Sequence, residues 1–386
     1  MHRGPTGTYE TTTTGGESVE AFVPRPLPPD PPLALQGPLQ AVLEEALLAL
    51  GRLDRAAEGL PDTPFFLYAH VRKEAVLSSQ IEGTQSSLSD LLLFELGDLP
   101  YPVDDVGEVA NYVAALQHGL TRIEEGFPLS NRLIREIHGV LLREGRGSRQ
   151  DPGRFRRSQN WLGGTRPGNA GFVPPPHQRV PDCMAELERF IHGEEDGVTH
   201  LIRAGLAHVQ FETIHPFLDG NGRVGRLLIT LMLHTSGVLR QPLLYLSLYF
   251  KQNRDRYYSL LDQVRRDGDW EEWLIFFLDG VHKTATGAVN TERRLSDLFL
   301  RHQSVLEARG RKGRSALKVH AALRQRPLLT VTLASERTGL SFPGASSAVE
   351  VLLEEGIVRE MTGRKRGRVF GYAEALEILN EGTEPL

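Results

Sequence analysis

Phe211 to Leu233 read FETIHPFLDGNGRVGRLLITLML, and this stretch decides what kind of chain surrounds it. Apolar residues recur at three-and-four spacing on both sides of a short break, so two helices meet at a turn. Pro216 disfavours helical geometry at His215, which puts the histidine at the end of the first helix or just beyond it. Gly220, Asn221 and Gly222 tolerate left-handed backbone and can turn successive N–H groups inward as an anion nest. The second helix begins near Gly222 and points its positive end at that nest. Arg223 and Arg226 in its first turns would be misplaced on an isolated helix, but they suit one that holds a polyphosphate. Asp219 would repel a bare phosphate unless a divalent cation bridges the two. His215 stands where a base could take a proton from an attacking hydroxyl. Base, carboxylate, glycine nest and two arginines within twelve residues point together to phosphate-group chemistry.

Outward from this turn the chain reads as mainly α. Amphipathic spacing recurs in LQAVLEEALLALGRLDRAA, in FFLYAHVRKEAVLSSQIEG with its stop at Gly83, and in VGEVANYVAALQHGLTRIEEG. It continues in LSNRLIREIHGVLLREG, VPDCMAELERFIHG and THLIRAGLAHVQFETI, and again through the 250s to the 280s. WLGGTRPGNAGFVPPP, Trp161 to Pro176, cannot continue a helix and reads as a β-hairpin or loop. The Thr/Gly and Pro-rich residues 1–37 are expected to form a disordered arm. Residues 38–125 then form an N-terminal helical region, and 126–295 the catalytic core. Residues 296–312, rich in Arg and Lys, read as a helical linker. Helix, helix, helix and a basic hairpin over 313–386 is the order of a small winged helix-turn-helix domain.

Composition sets bounds on function. The chain has 386 residues, 40% hydrophobic and 24% charged, with a net charge of -5, so it does not coat nucleic acid over its whole surface. Cys183 is the single cysteine, which excludes an internal disulfide framework and fits a cytoplasmic setting. No apolar run is long enough to cross a bilayer, and no secretory signal is expected. There is no GxxxxGK[ST], GxSxG or HExxH, which sets P-loop, serine-hydrolase and zincin chemistry aside.

HPFLDGNGRVGR resembles the signature of the Fic (filamentation induced by cAMP) family, HPFx(D/E)GNGRxxR, at every fixed position. The resemblance covers about residues 40 to 290 and implies a helical domain with a β-hairpin flap. It implies transfer of AMP from ATP to a Ser, Thr or Tyr hydroxyl of a target protein, with release of pyrophosphate. On that resemblance His215 is the base and Asp219 the Mg²⁺ ligand. Gly220, Asn221 and Gly222 cradle phosphates, with Asn221 and Arg223 on them. Val224 and Gly225 complete the nucleotide-binding turn, and Arg226 grips the γ-phosphate. Tyr257 and Tyr258, in NRDRYYSLL, are candidates for adenosine contact or for ordinary helix packing. Gly163 and Gly164 lie in the segment similar to the family's flap, where a target chain docks by strand pairing.

Ser78 and Glu82 stand four apart, on one helix face, and Glu82 sits at a helix C-terminus where the dipole opposes a carboxylate. SSQIEG is similar to the family's inhibitory motif, (S/T)xxxE(G/N), which implies that Glu82 pairs with Arg226 as a built-in brake. In the C-terminal unit Arg364, Lys365, Arg366 and Arg368 crowd the wing, a candidate contact for a DNA backbone. The presumed recognition helix, ASSAVEVLLEEG, has no Arg or Lys. Three readings stay open: an autoinhibited adenylyltransferase, an ATP-sensing transcriptional regulator, and a Fic enzyme that removes AMP or transfers another phosphate-linked group. The resemblance also admits modification of the chain's own hydroxyls and a homodimer.

Overall fold

The computed structural model describes residues 3–58, 63–97, 103–193 and 197–385. The three-and-four spacing after Pro38 produces α1 (Pro38–Glu58), whose Leu39, Ala46, Ala49, Leu50 and Leu53 are all buried. Next come α2 (Thr63–Ile81), α3 (Leu88–Glu95), α4 (Val103–Glu124), α5 (Asn131–Leu141) and α6 (Val180–His192). At the centre lie α7 (His200–Ile214) and α8 (Asn221–Thr235), buried on nearly every side. Both helices on the flanks of the signature therefore belong to the core and fix the turn between them. Short α9 (Ser247–Gln252) and α10 (Arg254–Asp267) lead into α11 (Trp270–Ala308), a helix of 39 residues that packs along α1. Trp273 is buried and donates its indole N–H to Gly205 O at 2.9 Å, which pins α11 to α7. Among the described residues, no helix is long and apolar enough to cross a membrane.

Two expectations are overturned here. Residues 7–24 are not a disordered arm but an antiparallel hairpin, β1 (Gly7–Thr14) and β2 (Glu17–Pro24), with Thr14 opposite Glu17. Gly15 and Gly16, with φ of 59° and 82°, make the two-residue turn that favours such hairpins, and β-branched residues fill the first strand. Val19 and Ala21 of β2 bury against Val173, and the Phe22 N–H donates to Val173 O at 2.9 Å. Residues 296–308, read as part of a linker, continue α11 without a break. Leu295, Leu298, Phe299 and Leu306 recur at helical spacing and are buried, so this stretch is core. The 161–176 segment is mostly loop, its strand pairing reduced to one bridge, Leu162 to Phe172, around a 3-10 turn at Pro167–Asn169.

The C-terminal unit consists of α12 (Arg311–Leu323), β3 (Leu328–Thr330), α13 (Val331–Thr338), α14 (Phe342–Glu354), β4 (Val358–Glu360), β5 (Val369–Tyr372) and α15 (Ala373–Asn380). Its sheet has the order β3-β5-β4, antiparallel throughout, and the basic loop joins β4 to β5. The residues after α15 return to α2. Lys73 Nζ donates to Glu381 O at 2.7 Å, and Gln80 Nε2 donates to Thr383 O at 2.7 Å. Lys251 Nζ donates to Gln80 Oε1 at 2.7 Å and also reaches Gly382 O. Three buried donors thus tie the end of α2 to a segment some 300 residues away. Replacing Lys251 by Met keeps the stem but removes the charged donor, and is expected to lower unfolding stability by about 2 kcal/mol in denaturant titration. No loss of stability would show that these contacts hold nothing.

Candidate active site

The turn between α7 and α8 is held in a conformation its residues would not choose alone. α7 stops at Ile214 as Pro216 requires, and His215 caps it at φ 48°, ψ 61°. Left-handed geometry at a non-glycine residue costs about 1–3 kcal/mol, so surrounding contacts must impose it. Asn221 supplies one of them: its Oδ1 accepts from Phe217 N and its Nδ2 donates to Phe217 O, both at 2.9 Å. Phe217 stacks on His138 of α5 at 3.7 Å between ring centroids. His138 Nδ1 accepts from Gly153 N at 2.9 Å, which leaves Nε2–H to donate to Asp219 O at 3.0 Å. Burial pushes this imidazole down to about 4, so it stays neutral and keeps that tautomer. From the other side Arg156 donates Nε to His215 O at 2.9 Å, and its backbone N–H to Pro216 O.

Gly220, with φ 77°, caps α8 and opens its N-terminus to the cleft. That N-terminus is covered by Glu82. A Cβ on Gly222 would overlap the Glu82 carboxylate, so glycine is required for the carboxylate to lie there. Arg226 Nη2 donates to Glu82 Oε1 at 2.7 Å, Nε to Ser78 Oγ at 2.8 Å and Nη2 to Ser78 O at 2.9 Å. Arg226 is only 2% exposed, while Glu82 is half-buried at the cleft's edge. Burial alone would raise the Glu82 carboxyl, but Arg226, helped by Arg223, outweighs it and holds it below the ordinary carboxylate range. Arg223 is also buried, and donates to Glu108 Oε2 of α4 at 3.2 Å, with Asp219 Oδ1 at 3.6 Å.

His215 faces the same cleft. Its Nδ1 is buried, with the Glu212 carbonyl nearby but outside good hydrogen-bond geometry. Burial pushes the imidazole down to about 4; Arg156 and Arg265 act in the same direction, while the Glu212 carbonyl and the Glu82 carboxylate oppose them. Glu212, three residues earlier on α7, is a second buried carboxyl. Burial pushes it up to about 7 against the pull of Arg226, and a Cβ on Gly225 would overlap its carboxylate.

The structure brings His215, Asp219, Gly220, Gly222, Arg223, Arg226, Ser78 and Glu82 to one cleft. It does not put every candidate there. Val224 is 1% exposed and belongs to the core, and Gly225 serves the packing of Glu212 and Phe211. The Asn221 amide clamps the loop through Phe217, using its Oδ1 and one of its two Nδ2 hydrogens. Tyr257 is buried and its hydroxyl pairs with His208 Nε2 at 2.8 Å, the helix-packing alternative. Tyr258 is exposed, beside Arg254, and lies within electrostatic reach of Glu82 and Arg226. Gly163 and Gly164, at φ 68° and 71°, shape the flap's tip, and a Cβ on Gly164 would run into Asn169. Lys365, Arg366 and Arg368 stand exposed on the loop between β4 and β5 with Arg364 half-buried, remote in sequence from the cleft. Glu108, His138, Arg156 and Glu212 were not foreseen, since each is an ordinary helix or loop residue until the fold places it beside the signature.

Asp219 is partly exposed, and its Oδ1 accepts from Gly220 N at 2.6 Å. Among the described residues, no group of three or more His, Cys, Asp or Glu gathers to hold a metal. One carboxylate suits Mg²⁺ brought in with substrate phosphates and does not suit a resident metal cage.

Comparison with known proteins places the fold among Fic-type structures. Residues 40–121 match the Fic/DOC family N-terminal model, and residues 128–233 match the Fic/DOC family model. The chain is similar to the protein adenylyltransferase Fic of Culex quinquefasciatus, 30% identical over 209 residues, which are 53% of this chain and 39% of that one. The Aedes aegypti protein of the same name is 30% identical over 246 residues, 60% of this chain and 46% of that one. The chain thus spans less than half the length of these relatives. Among solved structures, a Fic family protein from Desulfovibrio desulfuricans aligns with a TM-score of 0.58 at 21% identity, covering 89% of this chain and 98% of that one. A Fic domain containing signaling protein from Bacteroides thetaiotaomicron aligns at 0.51 and 18% identity, covering 66% and 95%. These likenesses establish a Fic-type helical fold.

The His215 imidazole is expected to titrate near 4, well below 6.5, when followed by NMR in the whole chain. Glu82→Gln is expected to lower it further, because the Glu82 carboxylate is among the groups that raise it. Its folded value lies below the unfolded one, so the neutral ring's contribution to stability is complete above pH 6.5 and is lost as pH falls towards 4. An inflection at or above 6.5 would contradict this picture of the site.

Proposed function

We propose that this Fic-domain chain is a protein adenylyltransferase that transfers AMP from ATP to a hydroxyl of a target protein, held in check by its own Glu82. The observation that carries the reading is the Glu82 carboxylate lying over Gly222 and on Arg226, where a helix N-terminus and a buried guanidinium together ask for a phosphate. In the productive complex the γ-phosphate takes the place of Glu82 on Arg226, and the N–H groups at the start of α8 face the phosphate chain. His215 accepts the proton of the acceptor hydroxyl at Nε2, since its Nδ1 is buried. The hydroxyl oxygen bonds to the α-phosphorus, the α-phosphorus bond to the bridging oxygen breaks, and pyrophosphate leaves with the electron pair. Asp219 would hold Mg²⁺, which neutralises phosphate charge when bound.

Arg226 cannot serve both anions. With Glu82 in place the guanidinium is already neutralised, and a triphosphate entering beside that carboxylate meets like charge. Intact mass after incubation with ATP and Mg²⁺ tests the reading. Glu82→Gly is expected to carry at least roughly tenfold more AMP than the parent chain, on itself or on an added target. His215→Ala in that background should lose transfer by about 10²–10⁴-fold, as expected for a positioned base. A Glu82→Gly chain that binds ATP but transfers no more AMP than the parent would overturn the brake.

DNA contact by the C-terminal unit rests on the wing alone. α14 carries Glu350 and Glu354, and Glu355, which caps it, is paired with Arg309. If the wing binds duplex DNA, Lys365→Glu with Arg366→Glu abolishes a salt-dependent mobility shift; no shift at low salt removes the regulator reading.

A further inference from the structure

Behind the loop that carries His215 lies a charged feature that AMP transfer leaves unused. Arg135 of α5, the run Arg154 to Arg157, and His177 at the end of the flap line an open groove of about 500 Å³. No carboxylate lines it. Arg156 forms its floor, 2% exposed, and spends its donors on the carbonyls of His215, Ser158 and Pro175. Its charge is therefore hydrogen-bonded but not neutralised, and burial without a counter-ion pulls its pKa down to about 10. Arg135 donates Nε to Gly153 O, and Arg154 and Arg157 are exposed. Among the described residues, none of these four arginines has an ion-pair partner.

Several exposed arginines elsewhere pair with carboxylates. Arg166 pairs with Glu17, Arg179 with Glu10, Arg240 with Asp54, and Arg301 with Glu374. With 49 acidic residues against 44 basic ones, carboxylates are plentiful in the chain, yet none lines this groove. Its position is also particular. His177 follows the Pro174–Pro176 run at the end of the flap, and Arg156 holds Pro175 from beneath. The groove therefore adjoins the C-terminal end of the flap segment.

We propose that this groove docks an acidic segment of the target protein, so that acceptor hydroxyls are chosen partly by clustered Asp and Glu nearby in their own chain. The inference rests on the adenylyltransferase reading, but its binding arm does not need transfer to occur. An acidic peptide is favoured over nucleic acid because the groove adjoins the flap segment through Arg156 and Pro175, where a target chain would lie.

Fluorescence anisotropy with a labelled dodecaglutamate peptide tests it on the full chain, with Arg154→Glu/Arg157→Glu as the variant and Lys365→Glu/Arg366→Glu on the wing as the control. Saturable binding at low salt is expected, weakened at least roughly tenfold by the groove variant and by high salt, and unchanged by the wing variant. In the Glu82→Gly background, the groove variant should raise KM for a Glu/Tyr copolymer acceptor with kcat unchanged. Absence of peptide binding at low salt would overturn the proposal, as would equal binding by the groove variant. Preference for an oligothymidylate of equal charge over the peptide would overturn it in favour of a nucleic-acid site. Unchanged thermal unfolding of the variant confirms that a loss of binding is not a loss of fold.

Discussion

The buried guanidinium of Arg226 finds its anion in the Glu82 carboxylate, and much of the site is arranged around this pair. Stripping one partner from a buried ion pair typically costs about 3–5 kcal/mol. Every acceptor Arg226 finds here belongs to α2 or the turn just after it: Ser78 Oγ, Ser78 O and the Glu82 carboxylate. One side chain thus ties α8, and the anion nest at its start, to a helix far upstream in sequence. The tie has a consequence for binding. Whatever displaces Glu82 must bring its own negative charge to the same point, which is what the γ end of a triphosphate would do.

The turn before α8 depends on a different constraint. His215 holds left-handed backbone only because Asn221, Phe217, His138 and Arg156 close around it with hydrogen bonds and a stacked ring pair. Strain of this kind persists where the surroundings over-determine it, and it aims the imidazole at the cleft. The histidine is neutral because burial makes it so, and the nearby arginines reinforce that state. The C-terminal unit enters the same frame. Through Lys73, Gln80 and Lys251 it grips the end of α2 next to Glu82, so the helix that supplies the carboxylate is fixed on both sides.

What could be read from the sequence was what is local. Pro216 announced the end of α7, the glycines announced the nest, and the four-residue spacing of Ser78 and Glu82 put both on one helix face. The partner of Glu82 came from resemblance, not from spacing, and the 2.7 Å contact agrees with it. What could not be read was long-range. Glu108 meets Arg223 across 115 positions, and His138 meets Asp219 across 81, with no local signal at either end. The hairpin at 7–24 was legible and was passed over, because a Thr/Gly composition hid a Gly-Gly turn between β-branched runs. Asn221 shows the same limit: its amide suits a phosphate chemically, and only the fold reveals that it also clamps the Phe217 backbone.

The most direct measurement is calorimetric binding of ATP and of ADP to the His215→Ala chain, with and without Glu82→Gly. If Glu82 and the γ-phosphate compete for Arg226, removing Glu82 should tighten ATP by at least roughly tenfold, about 1.4 kcal/mol, while ADP changes little. An equal gain for both nucleotides, or none for ATP, would contradict the exchange of anions on Arg226.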